Sequence, residues 1–115
     1  AGDDAVTRVI DVSGGPSDAS VAAASCEPTG TAGHDALCTV WTDPDFDPAA
    51  PALYYARVIE DPTCRWTTRD CVAAGVDCAE EDTVGEGFGG CCDTRFEATV
   101  QERAWSSPIW YLPGS

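Results

Sequence analysis

The sequence predicts an all-β fold, a disulfide-rich β-sandwich of short antiparallel strands joined by long loops. Short runs of β-branched and aromatic residues alternate with polar residues, as expected of half-buried strands. Turn-forming residues, 11 glycines and 8 prolines in 115 residues, separate these runs. Seven cysteines in so short a chain indicate disulfide bonds. We therefore expect residues 1–115 to form a single disulfide-stapled domain.

The first half of the chain contains three candidate strands. Ala5–Val12 alternates between apolar and polar residues and ends at a glycine–glycine–proline turn. Ala19–Ser25 is alanine-rich, so a short helix and a strand both fit, and its glycine and proline neighbours favour the strand. Ala36–Thr42 is the third strand and follows a loop rich in glycine, threonine and alanine.

The stretch Leu53–Cys71 is predicted to organise the rest of the fold. Its first part, Leu53–Ile59, should form a strand that ends before Pro62, because proline has no N–H to donate to a ladder. Arg103–Trp110 has a similar composition, so we expect these two segments to pair. The buried layers of this pair should include Tyr54, Val58, Trp105 and Trp110.

The other segments of the second half are less regular. Thr67–Ala74 fits one or two helical turns, and Gly75–Gly90 is predicted to be a long loop rich in glycine and acidic residues. Arg95–Trp105 returns to strand, and Ile109–Leu112 extends it beyond Pro108. That proline predicts an edge position or a β-bulge.

The cysteines are predicted to form disulfides rather than a zinc site, because most of them lack the close pairing of zinc ligands. We expect Cys26 to pair with Cys38, since the two flank one loop. A bond between the adjacent residues Cys91 and Cys92 is not expected. Because seven is odd, at least one cysteine stays free or pairs outside the chain. Two further bridges should come from the remaining cysteines, Cys64, Cys71, Cys78, Cys91 and Cys92.

The chain is strongly acidic, with a net charge of −14 from 20 acidic and 6 basic residues. This charge repels nucleic acid and anionic lipid, so neither is an expected partner. No stretch is long and apolar enough to span a bilayer. The cysteine content favours an extracellular or cell-surface location. Because the sequence begins at Ala1 with neither a methionine nor a signal peptide, we expect a processed end.

Motifs for metal binding and catalysis are weak. Asp43, Asp45 and Asp47 alternate in DPDFDP as calcium ligands do, but the glycine and the final acid of an EF-hand loop are missing. These aspartates are therefore only weak calcium candidates. His34 is the single histidine, and no nucleophile motif accompanies it. We predict no cofactor and no catalytic residue, so that the chain itself is not an enzyme.

Two groups of arginine beside tryptophan are the most informative polar feature. A guanidinium group over an indole ring stabilises by roughly 0.5–2 kcal/mol and covers apolar area. One interpretation is a structural Arg/Trp ladder that joins neighbouring strands, which we favour, and the other is a platform for a glycan or another ligand. The groups comprise Arg65, Trp66 and Arg69, and Arg103, Trp105 and Trp110.

Four motifs carry a resemblance to a known family. YYARVIEDPTCRWTTRDC, GEGFGGCCD, QERAWSSPIWY and the earlier CTVWTDPDFDPAAPALYYARV closely resemble the C-terminal region of the bacterial domain-of-unknown-function family 3604. The resemblance implies a longer secreted parent whose N-terminal part is similar to metal-dependent hydrolases of the polymerase-and-histidinol-phosphatase type. The histidine ligands of that part lie upstream, so no catalytic residue carries over.

Two functions remain. The first is a non-catalytic extracellular structural module that self-associates, as a filament subunit processed from a longer precursor. Copies would join by strand addition through Ala5–Val12, with an intermolecular disulfide as a second possible link. The contact residues would be Val6, Arg8 and Ile10. The alternative is a C-terminal accessory domain of a secreted metal-dependent hydrolase, which contributes to substrate binding through Arg65, Trp66 or Arg103.

Overall fold

A computed structural model describes residues 5–114, which form mostly short strands and loops with little helix. This confirms the all-β, disulfide-rich prediction. The elements in chain order are β1 (Ser20–Ala22), β2 (Glu27–Thr29), β3 (Ala52–Tyr54), β4 (Arg57–Ile59), β5 (Thr63–Cys64), α1 (Trp66–Ala73), β6 (Thr99–Val100), β7 (Arg103–Trp105) and β8 (Ile109–Tyr111), with two 3-10 turns at Glu81–Thr83 and Gly89–Cys92.

The central feature is a two-stranded antiparallel ribbon made by residues 52–65 and 98–111. Three ladders follow one another along it: β3 pairs with β8, β4 with β7 and β5 with β6. Backbone hydrogen bonds continue between the ladders, from Ser106 N to Ala56 O at 2.9 Å and from Glu60 N to Glu102 O at 3.0 Å. The predicted pairing of Leu53–Ile59 with Arg103–Trp110 is therefore confirmed.

The two prolines of the ribbon explain why it is divided into three ladders. Leu53 opposes Trp110 and Val58 opposes Ala104, so the second strand has one extra residue near Pro108. Between the Val58–Ala104 pair and the Cys64–Thr99 pair the first strand has one residue more than the second, and this extra residue lies near Pro62. One extra residue on one strand is the pattern of a β-bulge, and proline offers no N–H to the ladder there.

Helix α1 and the loop after it form a stapled cap at one end of the ribbon. Gly75 ends the helix in a left-handed conformation (φ 71°), with hydrogen bonds from Gly75 N to Val72 O and from Val76 N to Cys71 O. This is the Schellman arrangement, which satisfies the last carbonyl groups of a helix. Two disulfides, Cys71–Cys91 and Cys78–Cys92, hold the loop against the helix.

The third disulfide corrects the predicted pairing of Cys26 with Cys38. Cys26 lies in the turn of the β1–β2 hairpin and bonds to Cys64 of β5, with a Cα–Cα distance of 5.6 Å. Cys38 is exposed and is a free thiol. The prediction required Ala36–Thr42 to form a strand of a hairpin, and this segment has no regular structure. The prediction of two bridges among the later cysteines is confirmed for four of them, and Cys91 and Cys92 are not bonded to each other.

The described residues form no hydrophobic core. Cys64, with 4% of its surface exposed, is the only buried residue among them. The molecule measures 69 × 34 × 18 Å, and its radius of gyration of 21.3 Å compares with about 13 Å for a compact domain of this length. The strands occur in four separate two-stranded sheets, so the sandwich is not confirmed.

The predicted buried layers are also wrong. Tyr54 is half-buried, whereas Val58 is 55%, Trp105 59% and Trp110 68% exposed. A second sheet would have to cover these side chains, and the described part of the chain supplies none. No described helix is long and apolar enough to cross a membrane.

The N-terminal segment also differs from the prediction. Ala5–Val12 is irregular rather than a strand, and of Ala19–Ser25 only Ser20–Ala22 is strand. An alternating pattern allows a strand, but a strand forms only when a neighbour accepts its hydrogen bonds. Here the segment is attached by an ion pair between Arg8 and Asp45.

Non-reducing peptide mapping tests the disulfide arrangement. We expect a peptide pair that joins Cys26 to Cys64, and we expect a thiol-alkylating reagent to label Cys38 in the folded protein, because only this cysteine is unpaired and exposed. A bond between Cys26 and Cys38 would contradict the structure.

Candidate functional site

One face of the β4–β7 ladder presents arginine beside apolar side chains. Arg57 opposes Trp105, and Ile59 opposes Arg103. Residues opposite each other, or two apart along a strand, share one face of a sheet. We call this set the arginine face: Arg57, Ile59, Arg103 and Trp105. All four side chains are exposed.

The arginine face has no partner within the described chain. The ion pairs among residues 5–114 join Arg8 to Asp45 and Arg95 to Asp93. The other four arginines make none of these contacts, and all four residues are exposed. They are Arg57, Arg65, Arg69 and Arg103. A guanidinium with five donors and no acceptor nearby is available to bind a carboxylate from another surface.

The predicted Arg/Trp ladder is not present in residues 5–114. There the cation–π contact joins Arg95 to Phe96, at 6.0 Å from the ring centroid, and no arginine lies over a tryptophan. The register explains this result, because Arg57 and Trp105 project side by side from the same face. Arg65 and Trp66 instead stand at the start of α1.

Arg65 and Trp66 line an open cleft of about 380 Å³. Thr67, Val100 and Glu102 complete its walls, together with Thr63 and Cys64. Trp66 is 74% exposed, and no side chain caps the start of α1. Arg69 lies farther along the helix and does not line the cleft. The cleft thus contains two members of the first predicted arginine group and none of the second.

The three aspartates of DPDFDP support local structure instead of forming a calcium site. Asp43 accepts hydrogen bonds from Tyr54 Oη (2.7 Å) and Asp45 N (2.9 Å), and Asp47 accepts one from Ala49 N (2.8 Å). Asp45 forms the ion pair with Arg8. The described residues contain no group of three side chains that could hold a metal ion.

This loop covers one side of the β3–β8 ladder. Trp41 lies 6.3 Å from the Tyr54 ring, and Phe46 packs edge-on against Tyr111 with ring centroids 4.8 Å apart. Tyr111 Oη also donates to Pro48 O at 3.0 Å. The sequence offered this loop only as a weak calcium candidate, and its aromatic contacts show that it packs on the end of the ribbon.

The hydrogen bond between Tyr54 and Asp43 changes the pKa of both side chains. It lowers the pKa of the Asp43 carboxyl below its usual 3.8, because the donated bond stabilises the carboxylate. The same bond raises the pKa of Tyr54, since ionisation would remove the donor beside a negative charge. Because the pKa of Asp43 is lowered by folding, its carboxylate stabilises the fold fully above pH 3.8. That contribution is lost as the pH falls through the lower pKa of the folded state.

His34 lies in a second cleft, of about 510 Å³, which Asp18, Thr31 and Gly14 also line. Asp18 accepts a hydrogen bond from Thr31 N at 2.8 Å, and this bond lowers the pKa of its carboxyl. No hydrogen bond joins Asp18 to His34, so the cleft contains no oriented base. This arrangement gives no support for acid–base chemistry.

The loop Gly75–Gly90, predicted to be rich in glycine and acidic residues, was assigned no functional role from the sequence. Residues 77–86 carry five carboxylates and no basic residue, which we call the acidic segment: Asp77, Glu80, Glu81, Asp82 and Glu86. All five are exposed and none forms an ion pair with a described residue. Thr83 fixes the backbone, because its hydroxyl accepts a hydrogen bond from Asp77 N and lies within donating distance of two carbonyl oxygens, Asp77 O at 2.8 Å and Glu80 O at 2.7 Å. Charge density within ten residues was the signal that could have identified it.

An absorbance titration tests the Tyr54–Asp43 contact. In Asp43→Asn we expect the pKa of Tyr54 to fall towards its usual value of 10.0, because the charge that opposes ionisation is removed. Asp47→Asn is the matched control, since the Asp47 carboxylate bonds to a backbone amide and not to a tyrosine. An unchanged titration in Asp43→Asn would show that the contact is absent in solution.

Comparison with known proteins agrees with the resemblance carried by the ribbon and cap motifs. No curated protein and no solved structure matches the chain. The family model described as "Protein of unknown function (DUF3604)" matches residues 3–113. The match spans the ribbon, the stapled cap and the N-terminal hairpin, so the chain belongs to the DUF3604 family.

Proposed function

We propose that this chain is a non-catalytic extracellular structural module that is completed by association with other copies of itself, as the subunit of a filament. The observation that carries the proposal is the missing core: a 12.0 kDa chain with three disulfides buries only Cys64 among its described residues. Apolar side chains in water favour association by roughly 25 cal/mol per Å² covered.

The amount of exposed surface fits an obligate partner. The chain exposes 9497 Å², whereas a compact monomer of this mass exposes about 6,000 Å². The excess, about 3,500 Å², is several times the roughly 800 Å² that each partner covers in a standard transient interface. If each subunit makes two contacts, this excess area is shared between them, and the area buried at each contact is in the range of obligate assemblies.

Strand addition is the contact that we propose between copies. Residues 5–12 make no backbone hydrogen bond to another described residue, and Val6 is 82% exposed. The two-stranded ribbon has an open edge on each side, whose N–H and C=O groups can pair with an added strand. Val6, Arg8 and Ile10 would then lie along the ribbon of the next subunit. In that position Arg8 would leave its ion pair with Asp45.

An intermolecular disulfide is a second proposed link. Cys38 is exposed and free, and the remaining six cysteines are paired within the chain. Three disulfides fit an extracellular protein, where thiols oxidise readily. A secreted or cell-surface filament is therefore the setting that we propose.

A second candidate, which rests on the resemblance of the motifs alone, is an accessory domain of a secreted metal-dependent hydrolase. The motifs of the ribbon resemble the C-terminal region of longer family members, and the open ribbon could equally pack on the hydrolase part of such a protein. In that case Arg65, Trp66 or Arg103 would contribute to substrate binding. The assembly state of the purified chain separates the two candidates.

Mass photometry of the purified chain, with and without Ala1–Val12, tests the first candidate. We expect the intact chain to form particles larger than a monomer, and the truncated chain to lose them, because the added strand is gone. Truncation of Pro113–Ser115 is the control and should leave assembly intact. A strict monomer before truncation, or unchanged assembly after it, would refute strand addition.

The absence of catalysis is a separate prediction. We expect the purified chain to hydrolyse neither phosphoesters nor carboxylic esters in the presence of divalent metals, because no described side chain forms a hydrogen bond that orients His34. Metal-dependent turnover that disappears in His34→Ala would contradict this expectation.

A further inference from the structure

We propose that the arginine face of one copy docks on the acidic segment of a second copy. This inference rests on the proposed self-association and names a contact in addition to strand addition. The partner of the arginine face is thus a surface on a second copy of this chain, identified by its opposite charge.

The arginine face is suited to a carboxylate-bearing partner. Arg57 and Arg103 stand diagonally across the β4–β7 ladder, with Ile59 and Trp105 between them. Both guanidinium groups lack an ion pair among the described residues. Ile59 is 47% and Trp105 59% exposed, so a partner that pairs with the arginines would also cover apolar area.

The acidic segment supplies the complementary charge. Its five carboxylates lie in ten residues that contain no basic side chain. The Cys78–Cys92 bond and the Thr83 hydroxyl hold its backbone, so little conformational entropy is lost when it binds. Its carboxylates are exposed and form no ion pair in residues 5–114, as is true of the two arginines, and only Asp77 accepts a hydrogen bond, from Ala79 N within the segment.

The two surfaces lie in different parts of the molecule. The arginine face is in the middle ladder of the ribbon, whereas the acidic segment belongs to the cap beyond β5 and α1. No described ion pair joins them within one chain. In a head-to-tail arrangement, a contact between two copies leaves one arginine face and one acidic segment unoccupied, and further copies can add at both ends.

The net charge of −14 opposes association but does not prevent this contact. At physiological ionic strength charges separated by more than about 8 Å are largely screened, so repulsion between distant acidic residues is weak. Paired groups a few ångströms apart are screened much less. Assembly should consequently be weakest at very low salt, where the overall repulsion is longest in range.

A charge-reversal experiment tests the contact. The two variants are Arg57→Glu with Arg103→Glu, and Glu80→Arg with Glu81→Arg. We expect each variant alone to assemble about tenfold more weakly or worse, because like charges then meet at the contact. An equimolar mixture should regain assembly in particles that contain both variants, since the reversed arginine face of one variant then meets the reversed acidic segment of the other.

The matched control is Arg65→Glu with Arg69→Glu, which makes the same charge change outside the arginine face and should assemble as the unmodified chain does. Circular dichroism and disulfide mapping establish that each variant folds. Unimpaired assembly of either reversed variant, or a mixture that fails to recover, would overturn the contact. If the unmodified chain assembles and only the Ala1–Val12 deletion abolishes assembly, the proposed function stands and this inference fails; if the unmodified chain is monomeric, both fail.

Discussion

A two-stranded ribbon has two faces and two edges, and it cannot cover them itself. The rest of this structure follows from that constraint. Each face of the β4–β7 ladder meets solvent, and among residues 5–114 the only buried residue is Cys64, one half of a disulfide. Two strands alone are at best marginally stable in water, so the covalent bonds replace part of what a core would supply. The bonds fix the hairpin and the cap to the ribbon, but they leave its apolar side chains uncovered.

The charge distribution is organised around the same ribbon. Arginines outside it are neutralised locally, Arg8 by Asp45 and Arg95 by Asp93. The four that lie on the ribbon or at its helical end form no ion pair with any residue that the structure describes. In a chain with more than three times as many acidic as basic residues, this separation places positive charge where apolar surface is also exposed. Both features are those of a surface that binds another protein.

Sequence reasoning identified the ribbon because its information is local. Alternation in Leu53–Ile59, similar composition in Arg103–Trp110 and two prolines defined both strands and their interruptions. The same alternation in Ala5–Val12 and Ala36–Thr42 was misleading, since periodicity shows that a segment can be a strand but not that a neighbour pairs with it. The Cys26–Cys64 bond links segments 38 residues apart and could not be read from spacing. The arginine face was predicted only in part, because the sequence shows which residues are present but not the register that brings them to one face.

Amide hydrogen exchange as a function of protein concentration is the most direct test of the claim that association completes this fold. The account predicts that the amides of β4 and β7 exchange quickly in the dilute monomer and become protected as the assemblies form, while amides of the disulfide-bonded cap change little. If the ribbon amides are equally protected in a monomer at every concentration, the ribbon is stable alone and the account is wrong.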